Sequence, residues 1–374
     1  MEKIIYLDHA ATTAVDERVL NKMIPYFNLS YGNPSSMYTI GRRNKRVIEE
    51  ERSIVAKEIN AKTKEIYFTS CGSESDNLAL KGIAYANKTK GKHIITSKIE
   101  HPAILNTCRT LEKQGYEVTY ISVDSNGFIK LDELENAIRG DTILISVMFA
   151  NNEIGTIEPI EKIGIIAKQN NIIFHTDAVQ AVGNIKIDVE KLGIDLLSMS
   201  AHKFYGPKGV GALYVKSGIE FERIQDGGHQ ERGKRSGTEN VAGIVGLAEA
   251  LKLANNNLES NNKKIISNRN YFISQLKEKN KEIEINGDLE KRLPGNINIT
   301  FKAKDSLEML LKLDEYGICA SAGSACSTGE TAPSHVLTAI GLTPEKAFST
   351  LRFSLGKENT REEIDYVLKI LSKI

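Results

Sequence analysis

The sequence of 374 residues predicts an α/β fold, in which helices cover both faces of a mostly parallel β-sheet. Two observations support this prediction: short apolar runs alternate with amphipathic stretches, and the alternation continues through the first half of the chain. The expected strands are residues 66–69, 93–96, 118–121, 142–149, 172–175 and 196–199.

Apolar side chains at helical spacing mark the segments between the strands. Two such helices are marked by Val47, Ile48, Ile54, Val55 and Ile59, and by Ile160, Ile163, Ile166 and Ala167. The pattern changes after residue 215, where a helix face at 244–251 leads into a polar stretch, 255–262, that could join two domains.

The length of the chain suits two domains. We predict a large domain over residues 16–257, and a smaller α+β domain that combines residues 1–15 with residues 258–374. The smaller domain is expected to end in a helix, because Thr360 and Glu363 match a capping box ahead of apolar residues at helical spacing.

Charge and composition argue against several classes of partner. Lys and Arg total 49 against 48 for Asp and Glu, so the net charge of +1 indicates neither a nucleic-acid nor a membrane surface. Asp8 interrupts the start, where a signal peptide needs a continuous apolar region. The apolar run 143–150 is too short to span a bilayer. We therefore expect a cytoplasmic protein.

The four cysteines are Cys71, Cys108, Cys319 and Cys326. Free thiols are expected in a chain of this size without a secretion signal. No CxxC pair occurs, and the spacing between Cys319 and Cys326 is not one that zinc sites use. A special role for any of these thiols must therefore be argued from its local environment.

Small or polar residues follow several strands, at the edge of the sheet where ligands bind in open α/β folds. Gly72 and Ser73 come at a helix start, where free N–H groups and the helix dipole favour an anion. An ordinary capped helix start is the alternative. His101 and Asn152 follow two further strands, where they could contact a cofactor or could simply begin a helix and form a turn.

Asp177 and Lys203 give the strongest chemical signal. They follow the expected strands 172–175 and 196–199. Alone, either could be structural, as a satisfied buried acid or an exposed lysine. Together they supply what pyridoxal phosphate requires, an amine for its aldehyde and an acid for its pyridine nitrogen. The sequence therefore predicts this cofactor.

The segment 320–329 consists almost entirely of small residues. It has little apolar mass to anchor it, so we expect mobility and an exposed Cys326 thiol. Most cysteines are buried as small hydrophobic residues, and Cys319 beside Ile318 fits that description. Cys326 does not fit it, which makes Cys326 the candidate reactive thiol.

Six motifs, in order along nearly the whole chain, give this sequence a specific resemblance to the NifS/IscS-type cysteine desulfurases, which are class V aminotransferase-like enzymes. The motifs are residues 6–13, 32–36, 151–155, 200–203, 235–240 and 323–326. The resemblance implies a fold-type I pyridoxal-phosphate transferase, with a mostly parallel seven-stranded sheet in the large domain and a smaller α+β C-terminal domain. It also implies a homodimer that converts L-cysteine to L-alanine and leaves a persulfide on Cys326. An iron–sulfur scaffold or a tRNA-thiolation enzyme would accept the sulfur.

The resemblance implies a role for each site residue. Lys203 would bind the cofactor aldehyde, Asp177 would pair with the pyridine nitrogen, and His101 would stack on the ring and move protons. The remaining contacts would be Asn152 and Gln180 with the phenolic oxygen, Gly72, Ser73, Ser200, His202 and the partner subunit's Thr238 with the phosphate, and Arg352 with Asn152 for the substrate. Cys326 would receive the sulfur, and its thiolate could also be a transient iron–sulfur ligand.

Some positions depart from the usual pattern of this family. Cys71 and Gly72 stand where Gly and Ala are common, while Ser73 keeps the hydroxyl of the usual Thr; we treat Cys71 as structural. The sequence ends at Ile374, without the longer tail by which IscS-type members engage a scaffold, so we expect a NifS-like member. An aminotransferase, a selenocysteine lyase and an inactive sulfur carrier are the alternatives.

Overall fold

The computed structural model describes residues 4–280, 282–322 and 332–374. Its strands are β1 (Ile5–Tyr6), β2 (Ile66–Thr69), β3 (His93–Ser97), β4 (Glu117–Ile121), β5 (Thr142–Ser146), β6 (Ile173–Asp177), β7 (Leu196–Ser200), β8 (Gly211–Val215), β9 (Ile283–Ile285), β10 (Asn296–Phe301), β11 (Ile318–Cys319), β12 (Ser321–Ala322) and β13 (Thr350–Ser354). Its α-helices are α1 (Glu17–Met23), α2 (Pro25–Asn28), α3 (Thr39–Glu58), α4 (Gly72–Ala86), α5 (Pro102–Lys113), α6 (Leu131–Ala137), α7 (Ile160–Gln169), α8 (Val241–Asn256), α9 (Leu258–Lys279), α10 (Ser306–Glu315), α11 (His335–Ala339), α12 (Pro344–Phe348) and α13 (Arg361–Leu371). Within these ranges, none of the helices combines the length and the apolar character that crossing a membrane requires.

A seven-stranded sheet forms the centre of the molecule, in the order β2-β8-β7-β6-β5-β3-β4. Neighbouring strands are parallel, except that β8 runs antiparallel to both β2 and β7. Alternate residues of one strand enter different cores: Ile95 belongs to the core that includes residues of α3 and α8, whereas Ile94 belongs to the core that includes residues of α4 and α5. Both faces of the sheet are therefore covered, which explains why its strands are apolar throughout. The predicted fold class is confirmed.

The fifth strand is shorter than the expected 142–149. Its last pair with β3 joins Thr96 to Ser146, after which β3 ends at Ser97. Beyond that point, the N–H groups of Val147 and Phe149 still donate to carbonyl oxygens of β6. The apolar run therefore continues past the end of β5 because residues 147–150 are buried. The backbone of this part still pairs with β6 but no longer with β3.

The polar stretch 255–262 is helical and not a loop. Helices α8 and α9 occupy it and meet at Asn257. Its asparagines bind the large sheet's helices and loops: Asn255 Nδ2 donates to the Glu58 carbonyl oxygen at 3.1 Å, and Asn262 Nδ2 donates to that of Asn184 at 2.9 Å. The polar side chains of this stretch therefore make tertiary hydrogen bonds, and its role in joining two domains stays a prediction.

A second hydrophobic core lies in the C-terminal part of the chain. A four-stranded sheet, β12-β13-β10-β9, packs there against α9 and α13, with Phe272 and Phe353 at its centre. Residues 5–7 join this core, because β1 pairs in parallel with β11. The capping box opens α13 as expected, with Thr360 accepting from the Glu363 N–H. The domain boundaries at 16 and 257 stay a prediction.

Candidate active site

A cavity of about 250 Å³ lies beyond the carboxyl ends of the large sheet's parallel strands. Ala10 and Ala11 close it from the N-terminal segment, and Arg352 reaches it from β13. The residues from the sequence prediction that line it are Gly72, Ser73, His101, Asn152, Asp177, Gln180, Ser200, His202, Lys203 and Arg352. Chain segments as far apart in sequence as Ala10 and Arg352 therefore share one space.

Lys203 lies just after β7, in a short 3₁₀ turn over Ala201–Lys203. Its Nζ donates to the carbonyl oxygens of Ala10 at 2.6 Å and Ala11 at 2.7 Å. The N-terminal segment is held against this turn by a further hydrogen bond, from the Thr13 N–H to the His202 carbonyl oxygen at 2.9 Å. The amine is thus placed between backbone oxygens and the cavity.

Asp177 ends β6 and is buried. Its Oδ1 accepts from the Val179 N–H at 2.9 Å. Burial raises the pKa of this carboxyl, while His101 and Lys203 act in the opposite direction. A buried carboxyl that faces a lysine and a histidine can hold a positively charged ring nitrogen.

His101 is the N-cap of α5, and its Nδ1 accepts from the Ala103 N–H at 3.1 Å. Because Nδ1 accepts, the hydrogen of the neutral ring lies on Nε2. Burial lowers the pKa of His101, so the ring is neutral at neutral pH. Pro102 occupies the first helical position. His101 therefore caps a helix and also lines the cavity, so the two alternatives from the sequence do not exclude each other.

The start of α4 forms the opposite end of the cavity, with Gly72 as its first residue. A Cβ at this position would lie 2.6 Å from Val179 Cγ2, which is too close, so only glycine allows Val179 to pack here. The side chains of Ser73, Ser200 and His202 line the cavity around this helix start. His202 Nδ1 is 3.1 Å from Thr12 Oγ1, and burial lowers the His202 pKa to about 4. These groups offer hydrogen-bond donors that suit a phosphate.

Arg352 is buried in β13, and its guanidinium is held on two sides. Nη2 donates to Asp8 Oδ1 at 2.8 Å, and Nη1 donates to the Asn152 carbonyl oxygen at 3.1 Å. Its Nε makes no hydrogen bond within the part of the chain that the structure describes. A fixed guanidinium at a cavity wall is suited to bind a carboxylate in bidentate geometry.

Of the predicted site residues that the structure describes, Thr238 does not line this cavity. Thr238 is exposed, and its expected role concerns a partner subunit. Cys326 lies outside the described residues. Gln180 lines the cavity, and its Nε2 donates to the Ala10 carbonyl oxygen at 2.9 Å. Cys71 also lines the cavity, at the N-cap of α4.

The sequence prediction missed two acids of this site, Asp8 and Asp76. Asp76 lies on the buried side of α4 with Gly72, Ala79 and Ile83. A charged residue on the apolar side of a predicted helix was the available signal for it. Asp8 gave no such signal, because its partner Arg352 is 344 positions away in sequence.

Comparisons with known proteins agree with this geometry. The family model for aminotransferase class-V matches residues 5–367. The chain is 54% identical to the cysteine desulfurase IscS of Clostridium botulinum (strain Hall), over 100% of this chain and 95% of that protein. It is 53% identical to the cysteine desulfurase IscS of Methanosarcina thermophila, over 100% of this chain and 92% of that protein. A solved structure described as a NifS-like protein superimposes with a TM-score of 0.94 at 40% identity, over 99% of each chain.

Proposed function

The chain belongs to the class-V aminotransferase family and is a cysteine desulfurase, and we propose that Lys203 holds pyridoxal phosphate while Cys326 takes sulfur from L-cysteine. One observation carries the cofactor assignment: Lys203, Asp177 and His101 line the same cavity. An amine, a buried carboxyl and a flat neutral ring are the groups that this cofactor requires around its aldehyde, ring nitrogen and ring face.

The donors around the cavity support the fit to the cofactor. Asp177 would hold the ring nitrogen, and Asn152 and Gln180 would contact the phenolic oxygen. The phosphate would sit at the start of α4, against Gly72 and Ser73, where helix N–H groups are unpaired within the helix. Ser200 and His202 would complete this end of the site.

When bound, pyridoxal phosphate draws electrons from the α-carbon of an amino-acid substrate. Lys203 acts there as the general base that takes the α-proton. The carbonyl oxygens of Ala10 and Ala11, which accept from Nζ at 2.6 and 2.7 Å, orient the amine at the cavity wall. His101 carries its ring hydrogen on Nε2 and can return a proton to the substrate.

Cys326 performs the sulfur transfer. Its thiolate attacks the sulfur of the substrate cysteine, so that an S–S bond forms as the C–S bond breaks. The electron pair of the C–S bond goes to the substrate's β-carbon, which takes a proton and becomes the methyl group of L-alanine. The enzyme is left with a Cys326 persulfide, which an acceptor protein then receives.

Product analysis tests this function. L-cysteine should yield L-alanine and, with a reductant, sulfide in equal amounts. A keto acid in place of alanine would indicate an aminotransferase, and faster turnover of selenocysteine than of cysteine would indicate a selenocysteine lyase. A purified protein that fails to bind pyridoxal phosphate would contradict the cofactor assignment. Mass spectrometry of proteins that bind the persulfidated enzyme would show whether the acceptor is an iron–sulfur scaffold or a tRNA-thiolation enzyme.

Arg352→Lys is expected to raise KM for L-cysteine about 10- to 100-fold while changing kcat much less, because lysine cannot form two parallel hydrogen bonds to a carboxylate. The matched control is Arg361→Lys, on the surface of α13. Steady-state kinetics with varied L-cysteine measure both. An unchanged KM in Arg352→Lys would remove Arg352 from the substrate site.

We also propose that the enzyme is a homodimer. The segment from the end of α2 to the start of α3 exposes large apolar side chains: Phe27, Leu29, Tyr31, Met37 and Tyr38 are 57–87% exposed. Apolar groups concentrated over so few residues are typical of interaction surfaces. A second copy would cover them and bring its Thr238 toward the phosphate.

Phe27→Glu is expected to weaken this dimer about 100-fold, because it places an unpaired carboxylate in the interface. The control is Ile165→Glu, which changes a residue of α7 that is 51% exposed. Sedimentation equilibrium measures both variants. Cofactor affinity should fall with dissociation, since Thr238 would be lost. A wild-type monomer, or equal effects of the two variants, would contradict the assignment.

A further inference from the structure

A second carboxyl, Asp76, lines the cofactor cavity beside Asp177 and has no role in the function proposed above. It lies on α4 with only 1% of its surface exposed. One carboxylate oxygen from each of Asp76 and Asp177 and one ring nitrogen of His101 lie within 4.8 Å of one another. Two buried carboxyls are therefore very close together.

Among the described residues, no positively charged side chain favours the ionised form of Asp76. Its Oδ1 lies 3.7 Å from His175 Nε2 and makes no hydrogen bond among the described residues. His175 binds the Ser146 and Ser198 hydroxyls through its two ring nitrogens, at 2.9 and 3.0 Å. Burial lowers the His175 pKa to about 3, so this ring is neutral. Of its other neighbours, Asp177, Glu100 and Cys71 are acids.

Asp177 differs from Asp76 in this respect. Lys203 favours its ionised form, and the Val179 N–H donates to it. Burial and the charge of Asp177 raise the pKa of Asp76 well above its usual range, opposed by a hydrogen bond with Ser198. Two carboxyls at this separation in a buried site do not both ionise. The proton remains on the carboxyl whose ionised form has fewer stabilising neighbours, which is Asp76.

We propose that Asp76 is protonated in the folded enzyme at neutral pH, which leaves Asp177 as the single anion of the pair. The inference rests on the proposed function, because it takes Asp177 to face the ring nitrogen of pyridoxal phosphate. A neutral Asp76 adds no second negative charge to a cavity that must also accept a phosphate. The two acids that lie side by side in this cavity therefore have different protonation states.

Infrared difference spectra of the cofactor-free protein test the protonation state. Wild type minus Asp76→Asn, at neutral pH, should show the carbonyl band of one protonated carboxylic acid. Glu100 and Glu158, whose pKa values burial raises to about 8, occur in both proteins and cancel. Loss of a carboxylate band in place of the acid band would overturn the proposal, because Asp76 would then be ionised. Asp76→Ser provides the same comparison if the asparagine variant does not fold.

Cofactor affinity separates this inference from the function on which it rests. Asp76→Asn replaces a neutral group by a neutral group, so its affinity for pyridoxal phosphate should stay within about threefold of the wild type. Asp177→Asn removes a charged partner and should weaken binding about 10- to 100-fold. Equal losses in both variants would overturn the role of Asp76. An unchanged affinity in Asp177→Asn would instead contradict the proposed cofactor contact, whatever the infrared result.

Discussion

Replacing Lys203 by alanine is expected to lower kcat/KM for L-cysteine about 10,000-fold or more. The variant loses the amine that holds the cofactor aldehyde and also the general base at the substrate's α-carbon, and general acid–base catalysis alone contributes up to about 10,000-fold. The cavity wall should persist, because Lys203 contacts Ala10 and Ala11 at its edge and contributes nothing to the hydrophobic cores. Sulfide release with a reductant measures the loss.

The visible absorption of the bound cofactor should disappear in the same variant. Lys208→Ala is the control, since Lys208 lies in the same loop but is exposed. It should retain both the absorption and the activity. A normal spectrum in Lys203→Ala would reject Lys203 as the cofactor lysine. Loss of the absorption in both variants would instead indicate a folding defect of the loop.

The site residues that local sequence pattern predicts within the described chain are those that follow strands. Asp177 and Lys203 could be placed together because parallel strands end at one edge of a sheet, so that local pattern gives long-range proximity. Arg352 has no such relation to the large sheet, and only the family resemblance suggested it. Its contact with Asp8 depends on the N-terminal segment lying beside β13, where Asp8 pairs with Ser354, and an isolated pair of residues has too short a pattern to predict.

The helices illustrate a second limit. Composition predicted that 255–262 could join two domains, but it did not show that Asn255 and Asn262 lie in helices and donate to carbonyl oxygens of distant segments. Asp76 shows the reverse case, a polar residue on the buried side of a helix, where it lines a cavity. In both cases a tertiary partner, absent from the local sequence, decides where a polar residue is stable.

Cys326→Ser is expected to lower sulfide and alanine production about 1,000-fold or more, because a serine hydroxyl cannot attack the substrate's sulfur at neutral pH. Cofactor binding and its visible absorption should remain, since the residues that would hold the cofactor are unchanged. This combination distinguishes Cys326 from Lys203, whose loss should remove both properties. Mass spectrometry should detect one added sulfur on the wild-type enzyme after incubation with L-cysteine, and none on the variant.

The other thiols provide the controls. Cys319→Ser changes a half-buried residue of β11 and should retain normal activity. Cys71→Ser is the more demanding control, because Cys71 lines the cofactor cavity. If Cys71 is structural, its serine variant should still carry the persulfide on Cys326. A persulfide that persists in Cys326→Ser but disappears in Cys71→Ser would transfer the catalytic role to the thiol at the start of α4. Normal sulfide release from Cys326→Ser, with Cys71 also replaced, would show that neither thiol is required.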